Sequence, residues 1–227
     1  MEQDHRFLFA TLLGLFSVLI ILLAWSLIYD TQTKFLSGTE SSLTDPIQAP
    51  RPMLPALRPS DPSTGSTTPR TPTIVVFSDF TCSYCRLSQG ELIRAITKLK
   101  KPVRVIWRDL PISSTSREAM LPALGGRCAH AQSKFWEFHD AVFTGKPITD
   151  ENALRQRAQT AGLDIATFTE CVNQGTYVQD VQKDVVLARE HLIGTSPTFF
   201  VGNQPAVSGY VSANRFTSLI EQALAAR

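Results

Sequence analysis

Cys82 and Cys85 are separated by two residues in Phe77-Ser-Asp-Phe-Thr-Cys82-Ser-Tyr-Cys85-Arg, just after an apolar run, Thr73 to Phe77. Leu92, Ile93, Ile96 and Leu99 then recur at helical spacing, so the pair is predicted to open an amphipathic helix. That position has chemical consequences. A helix N-terminus carries partial positive charge and free N–H groups, which favour a thiolate at Cys82. Cys85, one turn further on, is close enough to close a small disulfide ring or to attack a mixed disulfide on Cys82. Residue types and spacing together point to thiol–disulfide exchange.

Zinc is the rival use of these sulfurs. Cys82, Cys85, Cys128 and His130 form a four-ligand set of the types that zinc takes. No second close Cys-x-x-Cys accompanies the first, and a strand running into Cys-x-x-Cys and a helix suits redox chemistry better. The redox reading is preferred, with no metal site. Cys128 shares a helical stripe with Leu124, Ala131 and Phe135, and Cys171 follows Phe168 by about one turn. Both are expected to face an interior, either as small apolar residues or joined. In an oxidising compartment the structural disulfide is preferred, and it would stabilise the fold by roughly 4 kcal/mol.

The elements that must position these cysteines occupy part of the chain. At 227 residues there is room for one good-sized domain plus extensions, and the net charge of +2 with no basic block argues against nucleic acid. Phe7 to Tyr29 is 23 residues without a charge, long enough to span a bilayer, with Trp25 and Tyr29 near its far end. A cleaved signal peptide would have a shorter apolar core and a small-residue cleavage site, which does not follow Tyr29. A buried core helix would show a polar face. An uncleaved anchor is the expectation. Arg6, flanked by Glu2 and Asp4, is set against Lys34, Arg51 and Arg58 beyond the span, so positive charge does not choose a side. All four cysteines follow the span, and an even number suits an oxidising, extracytoplasmic compartment.

From Asp30 to Pro72 the composition shifts: eight of the fourteen prolines fall here among Ser, Thr and Gly, without apolar periodicity. Such a segment is expected to be an extended tether. The chain therefore divides into an anchor, 1–29, a linker, 30–70, and a head, 71–227. Within the head, Val103 to Trp107 reads as a second strand. Thr198 to Val201 and Ala206 to Tyr210 flank a turn at Gly202-Asn-Gln-Pro205, and a last helix carries Phe216, Leu219, Ile220 and Leu224. Strand, helix, strand, then strand, strand, helix is the order of a thioredoxin core, an α/β fold. Between the halves, about 114–193, lies helical pattern: Ala119 to Gln132 with a kink or break at Pro122, Phe135 to Phe143, Glu151 to Ala161, and Tyr177 to Leu192. The last of these places Val178, Val181, Val185, Ala188 and Leu192 on one stripe. This region is expected to be an inserted helical subdomain.

Three stretches, Val76-Phe-Ser-Asp-Phe-Thr-Cys-Ser-Tyr-Cys85, Lys134-Phe-Trp-Glu-Phe-His-Asp-Ala-Val-Phe143 and Gly194-Thr-Ser-Pro-Thr-Phe-Phe-Val-Gly-Asn203, resemble the DsbA-like thiol:disulfide oxidoreductases. They are closest to the branch whose members are often membrane-anchored. The resemblance covers Thr73 to the C-terminus. It implies a thioredoxin fold with an inserted helical domain, on the periplasmic side of a bacterial cytoplasmic membrane. It also implies no cofactor beyond a redox-active Cys82–Cys85 disulfide. Cys82 becomes the exposed nucleophile, Cys85 the buried resolving cysteine, and Pro197 a cis proline beside them, with Ser196 presenting backbone to a bound peptide. Cis X-Pro carries a small penalty, and proline's missing N–H suits the first residue of a strand. A trans strand-starting proline is the plain alternative. Implied partners are exported protein thiols or disulfides and an unidentified redox partner that recycles the cysteines.

Two features depart from the family. Val76 stands where many relatives carry an acid six residues before the first cysteine; Asp79 is the nearest acid and reads first as a capping or solvated residue. Ser83 and Tyr84, expected to touch substrate, replace the Pro-His of strongly oxidising members, so oxidase, reductase and isomerase directions stay open. His139 and His191 read as surface or satisfied helix residues, and Trp136, Phe138 and Phe143 as core. The functional alternative is a metal-binding or chaperone-like module on the same fold.

Overall fold

The run Thr73-Ile-Val-Val-Phe-Ser78 is apolar throughout its middle because strand β2 (Thr73–Ser78) is covered on both faces. The computed structural model describes residues 19–26 and 54–226. β2 is the centre of a five-stranded mixed sheet of order β1-β3-β2-β4-β5, formed with β1 (Ser63–Gly65), β3 (Arg104–Asp109), β4 (Thr198–Val201) and β5 (Val207–Ser208). β3 runs parallel to β2, with Thr73 opposite Arg104 and Ser78 opposite Asp109. A parallel pair needs a long crossover, which helix α1 (Ser83–Leu99) supplies. β4 lies antiparallel on the other side of β2, with Ile74 opposite Val201. Ile74 and Val76 pack with Leu92 and Ala95 of α1 and with Phe216, Leu219 and Ile220 of the C-terminal helix. Val75 and Phe77 pack on the opposite face with Ile106, Phe200, Ala188 and Ile193. The buried face of α1 runs through Cys85, Ser88, Leu92 and Ala95, so Ile93 is exposed, and β5 is shorter than the Ala206–Tyr210 run anticipated.

Between β3 and β4 come five helices, α2 (Arg117–Ala131), α3 (Phe135–Thr144), α4 (Glu151–Thr160), α5 (Ile165–Gln174) and α6 (Val178–Glu190); α7 (Ala213–Ala225) closes the chain. The helical insertion is thus present, with one helix more than the pattern indicated. The unforeseen α5 is capped by Asp164, whose Oδ1 accepts the Thr167 N–H at 2.8 Å, and ended by Gly175 at φ 63°. α2 packs against α3 to α6 and runs through Pro122 without a break. Its Gly125-Gly126 pair permits that closeness: a Cβ at Gly125 would lie 2.9 Å from Leu154, and one at Gly126 would lie 2.9 Å from Phe80. The middle of α2 therefore rests on the segment leading into Cys82. α6 ends at Glu190, so Leu192 leaves the apolar stripe, takes φ 56° and is 81% exposed.

Ordered structure that packs on the sheet precedes residue 71. β1 pairs antiparallel with β3, Ser63 opposite Ile106, and Leu54 packs on the Val75–Phe77 side of the sheet. A network of buried charge orders this proline-rich arm in place of apolar periodicity. Arg58 donates to Asp61 (3.0 Å) and to Asp184, and Arg108 to Asp61 (2.7 Å), Asp184 (3.1 Å) and the Ala56 carbonyl (2.7 Å). Arg127 donates to Asp109 and Asp184, and the Asp109 N–H to Asp184 (3.0 Å). Three arginines balance three aspartates, and Arg108 and Asp184 are fully buried. Breaking such a set by removing one member costs about 3–5 kcal/mol, because the partner charge is left buried and unpaired.

Residues 19–26, in the separate unit Met1–Pro50, are helical with exposed side chains. The rest of the anticipated span, at 7–18 and 27–29, and positions 30–53 of the anticipated linker lie outside the described residues. Among the described residues no helix is long and apolar enough to cross a membrane.

Candidate functional site

Cys82 is the N-cap of α1: its backbone is extended (φ −78°, ψ 122°) and its Sγ accepts the Cys85 N–H at 3.1 Å. A sulfur in this place satisfies one of the free N–H groups of the first turn. Cys82 is partly exposed while Cys85 is 2% exposed; the two stand as free thiols. Burial, followed by the hydrogen bond to Cys82, pushes the Cys85 thiol up to about 12, against opposing hydrogen bonds from Ser78 and the Asp79 backbone. One sulfur is thus placed for attack from solvent, and its neighbour is held protonated behind it.

The loop before β4 closes over this pair. The Ser196–Pro197 peptide is cis, and the Cys82 thiol points at the Ser196 carbonyl at 3.6 Å. Ser83 and Tyr84 are exposed on the first turn of α1, Tyr84 at 62%. Cys82 and Ser196 share a cleft of about 570 Å³ with the Leu110–Ile112 segment and with Val185, Arg189 and Ile193. Ile112 is 87% exposed at its lip. Asp79 is buried beside the cleft, its carboxylate accepting the Thr81 N–H (2.7 Å), the Thr81 hydroxyl (2.8 Å) and the Ile112 N–H (2.9 Å). It holds two backbone segments around the cysteines in place.

His139 differs from its sequence reading as a surface or satisfied residue. It is wholly buried among Phe80, Trp107, Phe135, Trp136 and Phe143. Nδ1 pairs with Asp140 Oδ1 at 2.8 Å, and Nε2 has no hydrogen-bond partner. Burial holds its imidazole below the ordinary range, against the opposing pull of Asp140. Helical spacing explains the position: residues 135, 139 and 143 fall on one face of α3. His191 is half-buried, its ring edge-on to Phe200.

Cys128 and Cys171 are joined across α2 and α5, with Cα atoms 6.0 Å apart. The disulfide removes Cys128 from the four-ligand zinc set. Among the described residues no group of three or more His, Cys, Asp or Glu side chains is arranged to hold a metal ion. Sequence reasoning singled out Cys82, Cys85, Ser196 and Pro197, which lie close together. It missed the Leu110–Ile112 wall, Arg189 and the charge network behind them.

A Cys-x-x-Cys pair at a helix start, a cis proline beside it and a β2-centred mixed sheet form one pattern, and the profile of the family described as Thioredoxin matches residues 61–222. The chain belongs to the thioredoxin family. The match starts at Asp61, within the ordered arm. With helices inserted between β3 and β4, the fold is similar to that of alpha-DsbA1 and alpha-DsbA2 from Wolbachia pipientis. The crystal structure of oxidised BdbD from Bacillus subtilis superposes with a TM-score of 0.66 at 22% identity, covering 75% of this chain and 96% of that one. Disulfide bond formation protein D of Bacillus subtilis is 23% identical over 167 residues, 67% of this chain and 72% of that protein. The Na(+)/H(+) antiporter NhaA 3 of Salinispora tropica is 28% identical over 132 residues, 58% of this chain. The match spans only 20% of that antiporter's length.

Proposed function

We propose that this protein is a membrane-tethered thiol:disulfide oxidoreductase that exchanges disulfides with exported proteins through Cys82 and Cys85. The observation that carries the reading is the pairing of an accessible sulfur capping α1 with a buried thiol one turn behind it. In the reducing direction the Cys82 thiolate attacks one sulfur of a substrate disulfide, forming the Cys82 mixed disulfide and releasing the other sulfur as a thiolate. Cys85 then attacks Cys82 Sγ. The Cys82–Cys85 bond forms, the bond to substrate breaks, and the Cys85 proton balances the departing thiolate. Oxidation of a substrate dithiol runs the same steps backwards. The Ser196 backbone, with Ser83 and Tyr84 nearby, meets the substrate chain, and Pro197 holds that loop against Cys82. No cofactor is needed beyond the cysteine pair, which a separate redox partner resets.

The uncharged stretch Phe7 to Tyr29 supports attachment to the bacterial cytoplasmic membrane, and the Cys128–Cys171 disulfide supports a periplasmic location for the head. Replacing each redox cysteine in turn tests the chemistry. Cys85→Ser is expected to accumulate substrate proteins covalently on Cys82, visible on non-reducing gels and released by dithiothreitol. Cys82→Ser is expected to trap nothing and to lose exchange activity. Trapping by Cys82→Ser alone would reverse the two roles.

A further inference from the structure

Arg189, near the C-terminal end of α6, is exposed on the wall of the cleft that ends at Cys82. The nearby arginines Arg58, Arg108 and Arg127 are committed to aspartates. Arg189 has no such commitment, its guanidinium making no hydrogen bond or ion pair among the described residues. The other charged residue lining the cleft is Asp79, which is 5% exposed and has both oxygens occupied by donors from Thr81 and Ile112. The rest of the lining is uncharged, mixing apolar residues such as Leu110, Pro111, Val185 and Ile193 with the hydroxyl residues Ser114 and Thr195. A segment entering the cleft therefore meets uncharged surface and one solvent-facing positive charge.

We infer that Arg189 sets substrate preference, favouring protein segments that carry a carboxylate within a few residues of the exchanging cysteine. This rests on the oxidoreductase reading of the same site. To bring its sulfur to Cys82, a substrate must run its backbone past Ser196, and its flanking side chains then fall within the cleft. A volume of 570 Å³ equals a sphere about 10 Å across, which an extended chain at about 3.3 Å per residue crosses in roughly three residues. An Asp or Glu within that reach meets the free guanidinium. A Lys or Arg there meets like charge with no exposed acid to answer it. Because the guanidinium stays solvated, the gain is that of an exposed pair, about two- to fivefold, and salt reduces it. It adds to apolar contacts that do not distinguish charge, so the residue tunes selection among partners without being required for exchange.

The experiment uses the full-length reduced protein and three peptides, each closed by one disulfide between a fluorophore and a quencher. The peptides differ only at the residue two positions from the attacked cysteine, which is Asp, Asn or Lys. Second-order rate constants are expected to fall in the order Asp, Asn, Lys, with Asp about two- to fivefold above Asn at low salt and the gap closing at high salt. Arg189→Gln is expected to equalise Asp and Asn, Arg189→Lys to keep the preference, and Arg189→Glu to invert the order. Lys183→Gln, on an exposed part of the same helix, is expected to keep the wild-type order. Equal rates for Asp and Asn in the unaltered protein, or a preference that survives Arg189→Gln, would overturn the inference and leave the oxidoreductase reading standing. Absence of exchange with all three peptides would overturn the oxidoreductase reading itself.

Discussion

Asp184→Asn is expected to remove about 4 kcal/mol of stability without touching the cysteines. Asp184 Oδ1 accepts from Arg58 and Arg108, and Oδ2 from Arg127 and the Asp109 N–H; the side chain is fully buried. Asparagine matches the shape but has one acceptor oxygen and one NH₂ group. Whichever way the amide turns, two donors lose their acceptor and face N–H groups. A hydrogen bond to a charged group contributes about 1.5–3 kcal/mol, so two give about 3–6 kcal/mol. Breaking a buried ion pair from one side independently gives about 3–5 kcal/mol. Against a typical total of about 5–15 kcal/mol, the variant folds but sits close to its limit. Equilibrium unfolding in urea should move the midpoint down by about 2 M, taking a slope of about 2 kcal/mol per M that stays unchanged. Asp180→Asn, at an exposed pair with Lys183 on the same helix, is the control and should change stability by less than about 1 kcal/mol. A loss below about 1 kcal/mol for Asp184→Asn itself would refute the view that this network orders the fold.

A chain beginning at Thr71 lacks β1 and the Asp61 and Ala56 partners of Arg108, and should melt roughly 10 °C below one beginning at Arg51; equal melting temperatures would return the boundary to residue 71. The depressed His139 gives stability a sign on acidification. In the unfolded chain histidine takes up its proton near pH 6.5, whereas the buried ring resists it. Stability is therefore full above about pH 6.5 and falls as pH drops toward the lower folded value, by up to about 1.4 kcal/mol per pH unit. His130, also depressed by burial and by Arg127, adds to the loss in the same direction. Thermal melts between pH 7.5 and 5 should show a shallower decline for His139→Phe than for the unaltered protein.

The placement of Cys82 and Cys85 was legible because it is written in contiguous residues: an apolar strand, a cysteine at the cap, and a second cysteine one turn on. The central strands were legible because both faces of β2 are buried, which produces an unbroken apolar run. The arm from Leu54 to Gly65 was not, since its order comes from charges in four separate segments, and Arg58 is 126 residues from Asp184. Local periodicity carries no trace of such a pairing. One sign was present: Asp184 interrupts the stripe of Val181, Val185 and Ala188, and an acid on a buried stripe requires a buried cation. α5 escaped notice because only Phe168 and Val172 of its residues are buried, leaving its caps, Asp164 and Gly175, as the main signal. Leu192 continued the apolar spacing of α6 on paper, but the helix stops two residues earlier.

The balanced charge network also constrains how this sequence can change over generations. A lone neutral replacement at Arg108, Arg127 or Asp184 leaves an opposite charge stranded in the interior. Tolerated substitutions there must arrive in compensating pairs of opposite sign and so should appear correlated among related sequences. Arg58 and Asp61 cancel each other, and both belong to the arm, so a lineage can lose them together with the arm and keep the remaining charges in balance. Asp184 answers to three arginines drawn from three different segments. Discarding one partner with it restores the charge balance but leaves the other two arginines short of an acceptor, which makes it the network position least free to vary.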